Sequence, residues 1–310
     1  MSVLSEELAG YLASRRRMGF VVGHDEDTLR SFVRFCDHVG ITTITTDSIV
    51  EWVTAPAGAH SSWLAKRFGV VRLFAQHLNI VDPSHQVPPA RLIVGHYQRI
   101  VPYLYTGADI VALMSAAGTL SGCVRPVAYQ TLIGLLAATG MRISEALALN
   151  DEHVDLDAGL ITIRNSKFNK SRQLPIHATT CDALASYLAA RINVHPVPDR
   201  AAGFFVSDAG RRIGYGQCRA TFAELSIQVG VTARSARCRP TLHGLRHTFA
   251  VNTLIGWYSS GVDVNVSLPY LSTYLGHVDP SSTYWYLTAS PELAGVIASR
   301  LDNIDLDVNP

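Results

Sequence analysis

Six side chains between Arg142 and Tyr286 are of the types needed to break and remake a phosphodiester. Arg142 lies in Ala138-Thr-Gly-Met-Arg-Ile-Ser-Glu-Ala-Leu147 and Lys167 in Asn165-Ser-Lys-Phe-Asn-Lys170. His243 and Arg246 lie in Leu242-His-Gly-Leu-Arg-His-Thr248, His277 closes Leu275-Gly-His277, and Tyr286 follows nine residues later. In-line displacement at phosphorus gathers negative charge on the non-bridging oxygens, and guanidinium forks match that geometry better than ammonium groups do. Two arginines from distant segments are therefore the expected clamp. A tyrosine hydroxyl, with a pKa near 10, needs a base or nearby cations before it can attack. His243, one helical turn before Arg246, is placed to be that base. Expelling a sugar oxygen needs a proton, and a lysine on a hairpin turn can deliver it. The arginines already supply the electrostatic stabilisation, so no metal or other cofactor is required.

Taken singly, each residue has a plainer reading. Arg142 could form a surface ion pair with Glu145. His243 and His247 have the four-residue spacing of zinc ligands, but Gly244 stands where a zinc protease carries its glutamate. His277 could cap a helix end, and Tyr286 sits in an aromatic run, Tyr284-Trp-Tyr-Leu287, of the kind usually found in cores. The joint order and spacing outweigh these readings. On a helix Tyr284 and Tyr286 point about 200° apart, so only one can face a phosphate, and the residues alone do not say which.

Helices and one hairpin must hold this set. Val127 to Leu135 is an apolar helix leading to Thr139-Gly140 and Arg142; Leu160 to Arg164 and Arg172 to Ile176 read as strands flanking the lysine turn, with Phe204 to Val206 as a third. Thr180 to Arg191, Tyr215 to Gln228, Leu242 to Trp257 and Leu268 to Leu275 read as further helices, and Pro291 to Leu301 as a terminal one. Upstream, Leu8 to Met18, Thr28 to Val39, Ser48 to Val53 and Ser61 to Leu78 are helical patterns, followed by the proline-rich stretch from Pro83 to Ala90. The expected fold is mainly α with a small β-sheet, divided into a helical domain over 1–85, a linker over 86–105 and a second domain over 106–310 with a C-terminal helix.

Together these motifs resemble the tyrosine recombinase, or phage integrase, family, of the Xer-like kind. The family pattern is Thr-Gly-x-Arg-x-x-Glu, a hairpin lysine, His-x-x-Arg, Leu-Gly-His and a tyrosine nine residues on. Residues 139–145, Lys167, His243 with Arg246, 275–277 and Tyr286 fill those places. The resemblance selects Tyr286 over Tyr284. It implies a helical, SAM-like core-binding domain that grips DNA, followed by an α+β catalytic domain whose terminal helix docks on a neighbouring subunit. It also implies site-specific cutting and rejoining of DNA through a 3′-phosphotyrosine, without metal or ATP, in a tetramer on double-stranded DNA with inverted-repeat-like sites. Glu145 would steady the site by pairing with a basic group. The turn around Lys167 lacks the family's glycines and carries one extra residue, so Lys170 is a second candidate for the acid; Trp285 directly before the tyrosine is another departure. These features are similar to recombinases borne by transposable elements, including those encoded as trios of partner recombinases. Strand relaxation in the manner of a type IB topoisomerase, and a noncatalytic DNA-binding regulator, are the alternatives.

Charge fits DNA only locally. The chain carries 26 basic and 25 acidic residues, a formal charge of +1, where DNA-binding proteins usually show a basic excess. The stretch from Arg164 to Arg172 nevertheless has four basic residues and no acid, and that from Arg211 to Arg246 has seven arginines against Glu224 alone. Arg164, Lys170, Arg172, Arg237 and Arg239 are accordingly expected to contact the DNA backbone. No signal peptide or membrane span is legible and the five cysteines have no paired spacing, so a cytoplasmic, nucleoid-associated protein with reduced thiols is expected.

Overall fold

The computed structural model describes residues 2–20, 22–96, 101–164, 171–196, 203–277, 281–288 and 295. The chain divides into two compact units, Met1–Arg99 and Ile100–Pro310.

The first unit holds helices α1 (Val3–Arg17), α2 (Gly23–Val39), α3 (Thr46–Thr54) and α4 (Ser61–Val81). Its local signals are conventional. Ser2 caps α1 by accepting from Ser5 N, which starts the helix earlier than its apolar pattern alone suggests. Gly40 ends α2 in the left-handed conformation, φ +77°. Leu8, Leu12, Leu29, Phe32, Ile49, Trp52, Phe68, Val71 and Phe74 meet in one buried cluster.

Parts of the stretch 86–105 pack on each unit. Gln86 N donates to Ile44 O (2.8 Å), Arg72 Nε donates to Pro88 O (2.8 Å), and Ile93 packs against the helical core. Tyr103 and Tyr105 are buried in the second unit. The prolines that suggest a linker leave carbonyls free for outside donors and let the segment pack without secondary structure.

The second unit contains α5 (Gly107–Gly118), α6 (Arg125–Thr139), α7 (Ile143–Leu147), strands β1 (Val154–Asp155), β2 (Leu160–Ile163) and β3 (Arg172–Pro175), then α8 (Ala178–Val194), α9 (Tyr215–Gln228), α10 (Leu242–Ser259), α11 (Val264–Leu275) and α12 (Ser281–Tyr284), with a 3₁₀ turn over Trp285–Thr288. The sheet is antiparallel in the order β1-β2-β3, with Ile163 opposite Arg172. Phe204 to Val206 does not join this sheet: the run is buried in an aromatic cluster with Tyr187, Phe204 N donates to Leu149 O, and Val206 makes only an isolated antiparallel bridge with Arg212. Helix α5, whose start is set by a Thr106–Asp109 capping box, and the short β1 are absent from the sequence reading. No described helix is long and apolar enough to cross a membrane.

The segment before α5 also braces α10. Tyr105 N donates to Thr248 Oγ1 and its hydroxyl donates to Thr241 O (both 2.9 Å), tying it to the first turns of α10. A Cβ on Gly244 would stand 2.8 Å from Tyr103 O, so glycine is what allows this close approach.

Candidate active site

Two helix C-termini hold the two expected arginines. Gly140 ends α6 at φ +59° and Gly276 ends α11 at φ +71°, conformations that favour glycine. The last carbonyls of a helix lack internal partners and carry partial negative charge. Here they turn toward guanidinium groups. Arg246 Nη1 donates to Gly140 O (2.9 Å) and its Nη2 to Leu275 O (2.8 Å), while Arg142 Nη2 donates to Gly276 O (2.9 Å). A Cβ at Gly140 would lie 2.5 Å from Phe249, and one at Gly276 would lie 2.5 Å from Arg172 Nη1.

Glu145 is the anionic centre of this set. It is buried; Oε2 accepts from Arg142 N (3.0 Å), Oε1 from Arg142 Nη1 (2.8 Å), and both oxygens from Arg172 (3.0 and 2.9 Å). Burial raises its pKa, but the hydrogen bonds and charge of Arg172, with those of Arg142, outweigh burial and hold it below the usual carboxylate range. Arg172, expected at the DNA backbone, is thus committed elsewhere: its side chain is 11% exposed, and Nε donates to Tyr274 O. Strand β3 delivers it inward because a buried carboxylate needs a bidentate partner. Replacing Glu145 by alanine would leave two guanidinium groups facing each other without their anion, and the expected loss is about 3–5 kcal/mol of unfolding free energy, readable by urea denaturation. Glu145→Gln, which keeps the acceptor oxygen, should lose less.

Tyr286 closes the site. It is 2% exposed, lies in the field of Arg246, and stacks on His277 with ring centroids 6.1 Å apart and planes 22° apart. His277 Nδ1 lies 2.6 Å from the hydroxyl oxygen of buried Thr283, which ties the end of α11 to α12. Burial raises the Tyr286 pKa; Arg246 and Arg142 pull in the opposite direction without cancelling it, so the phenol is protonated at neutral pH. Tyr284 is 49% exposed, and Tyr274 stacks on Phe249 while donating to Pro175 O. Neither takes the place of Tyr286 beside the arginines.

Three imidazoles line the same wall. Although the His243 ring has access to solvent, the protein around it strips hydration and Arg246 and Arg142 add positive charge, pushing it down to about 4. Burial and then Arg246 and Arg142 push His277 to about 4; burial and then His243 and Arg246 push His247 to about 3. Arg246 is lowered by burial and by Arg142 to about 10 and stays charged. All three rings are neutral at pH 7. Because these folded values lie below the ordinary 6.5, the unfolded chain takes up protons first as pH falls, and stability is lost between pH 6.5 and about 4. The thermal midpoint should therefore drop from pH 7 to pH 5, and His277→Asn should make that slope shallower.

The structure brings Arg142, His243, Arg246, His277 and Tyr286 together, with Glu145 paired to Arg142 and Arg172. Lys167 and Lys170 lie outside the described residues. Arg164, Arg237 and Arg239 are exposed. The sequence pattern did not show that Arg172 pairs with Glu145 or that His247 packs on His243 and Tyr286. The spacing of four from His243 marked His247, but only as a zinc ligand.

Residues 105–292 match the phage integrase family. The chain is 40% identical over 308 residues, 97% of its length, to y4rB of Sinorhizobium fredii, whose name marks it as a candidate integrase/recombinase; the match covers 98% of that protein. Tyrosine recombinase XerC of Serratia marcescens is 29% identical over 263 residues, 83% of this chain and 80% of its own. Among solved structures, the Tn1549 transposon integrase in complex with transposon right end DNA has a TM-score of 0.65 at 18% identity, covering 97% of this chain and 100% of that one. XerH site-specific recombinase bound to a palindromic difH substrate has a TM-score of 0.63 at 17% identity, covering 89% and 78%. These two likenesses speak for the fold, mainly helical with a small antiparallel sheet.

Proposed function

The chain belongs to the phage integrase family and is a site-specific tyrosine recombinase, a DNA strand transferase; from this premise we propose that Tyr286 is its nucleophile and Arg142 and Arg246 its phosphate clamp. The observation that carries the reading is the buried Tyr286 ring, stacked on His277 in the field of Arg246, with Arg142 held by Gly276. The phenol oxygen forms a bond to phosphorus as the bond to the deoxyribose 5′-oxygen breaks, giving a 3′-phosphotyrosine. His243, neutral and with solvent access, takes the phenol proton; Lys167 returns one to the leaving oxygen, with Lys170 as its alternate. Arg246 spends two N–H groups on carbonyls, which leaves donors for the phenol and a non-bridging oxygen. His277, stacked on the phenol, hydrogen-bonds the phosphate. Glu145 and Arg172 hold Arg142 in place and touch no substrate. A 5′-hydroxyl from a second duplex then reverses the step; one ester replaces another, so bond energy is conserved and neither ATP nor a metal ion is consumed.

The substrate is double-stranded DNA with inverted-repeat-like recombination sites, such as the ends of a transposable element. Four protomers, which could include partner recombinases, would hold two duplexes. The first unit would serve as the core-binding domain, and exposed Arg164, Arg237 and Arg239 would contact phosphates. Two differently labelled duplexes carrying the termini of the encoding element, incubated in EDTA without ATP, should give hybrid strands. A supercoiled circle relaxed without any hybrid product would instead place the chain with type IB topoisomerases.

A further inference from the structure

His247 has no part in the chemistry assigned above, yet it stands at its centre. It follows Arg246 on α10, one turn after His243. Its ring meets His243 edge-on with centroids 4.6 Å apart, and meets Trp285 and Tyr286 edge-on at 5.4 Å each. A 3₁₀ turn has three residues per turn, so successive side chains diverge, and the pair Trp285-Tyr286 contacts one imidazole from two directions. This explains the tryptophan directly before the tyrosine. Trp285 backs the ring against which Tyr286 rests.

Packing alone does not call for a histidine. Among the described residues Nδ1 of His247 is buried and has no hydrogen-bond partner, a desolvated polar atom that phenylalanine would not bring. Residues that cost stability and persist in a catalytic wall are those whose polar atoms are needed when substrate arrives. Its neighbours there are the proposed base on one side and the proposed nucleophile on the other. We propose that His247 is a positioning residue for the tyrosine step, its ring holding the Tyr286 phenol against Arg246 and its polar edge hydrogen-bonding the phenol–phosphate assembly once DNA is bound. The inference rests on the reading of Tyr286 as nucleophile.

The test compares wild type, His247→Phe, His247→Ala and Tyr286→Phe. A nicked suicide duplex bearing the terminus of the encoding element serves as probe for single-turnover formation of the covalent adduct. Affinity for the intact duplex and the thermal midpoint are measured alongside. For His247→Phe the midpoint should be unchanged or higher and DNA affinity unchanged, while adduct formation slows by at least about tenfold, since the ring remains and only its polar edge is lost. His247→Ala, which frees the phenol as well, should slow it by about a hundredfold. A structural role alone would lower rate and midpoint together, and that result in both variants overturns the proposal. So does a His247→Phe rate within about threefold of wild type, too small a change for a lost hydrogen bond to the reacting assembly. Persistence of the adduct in Tyr286→Phe would sink the nucleophile assignment itself, an outcome distinct from either.

Discussion

Tyr286→Phe is expected to abolish the denaturation-resistant protein–DNA adduct on a nicked suicide duplex, while Tyr284→Phe forms it at the wild-type rate. The substitution removes the only atom of the side chain that could bond phosphorus and leaves the packing of the ring intact. Tyr286 is buried between His277, His247 and Trp285, so phenylalanine keeps every ring contact. The structural cost is one lost hydroxyl, about 1 kcal/mol, too little to unfold a domain of this size. DNA binding should survive because the arginines remain. Tyr284 points to solvent, and its hydroxyl is not needed by any described neighbour in the site. An adduct lost with Tyr284→Phe and kept with Tyr286→Phe would move the nucleophile by two residues.

Arg246→Lys should be nearly as damaging, although it preserves the charge. Arg246 is 2% exposed and bridges Gly140 O and Leu275 O, the carbonyls at the ends of α6 and α11, while also reaching Tyr286. A lysine ammonium has three donors on a single atom and cannot span two helix ends and a phosphate oxygen at once. Burial beside Arg142 would also favour its neutral form. Losing one preorganised donor to a developing oxyanion typically lowers kcat by about 10²–10³, and the loss should fall on that scale in single-turnover cleavage, with a much smaller change in DNA affinity. Circular dichroism would establish that α6 and α11 remain folded. Cleavage within tenfold of wild type would mean that the guanidinium fork is not part of the phosphate clamp.

Much of this site was legible because its residues carry local signatures. Gly140 and Gly276 stop helices wherever they occur, since their left-handed backbone excludes most side chains. Arg142 and His277 follow those stops by two residues and one, so the position of each relative to its helix was readable. His243 and Arg246 share a helix face by spacing alone. The hairpin was visible as two short apolar runs around a polar turn. What could not be read was which segments meet. Arg142 contacts Gly276 across 134 residues and Arg246 contacts Gly140 across 106, separations at which no sequence periodicity reports contact.

The same limit explains the specific misreadings. Arg172 sits in a basic run that suggests a solvated, DNA-facing stretch, but β3 points it at Glu145, whose buried carboxylate attracts it more strongly than solvent does. Phe204 to Val206 is apolar enough for a strand, yet it packs among aromatic rings and pairs only through an isolated bridge to Arg212 outside the sheet. Residue types and spacing, by themselves, determined the chemistry this chain can perform, because a phosphodiester and a phenol place strict demands on the groups around them. Only the tertiary structure decided which phenol meets the arginines and which basic residues are held by Glu145, because burial and charge neutralisation depend on neighbours that folding brings from distant parts of the chain.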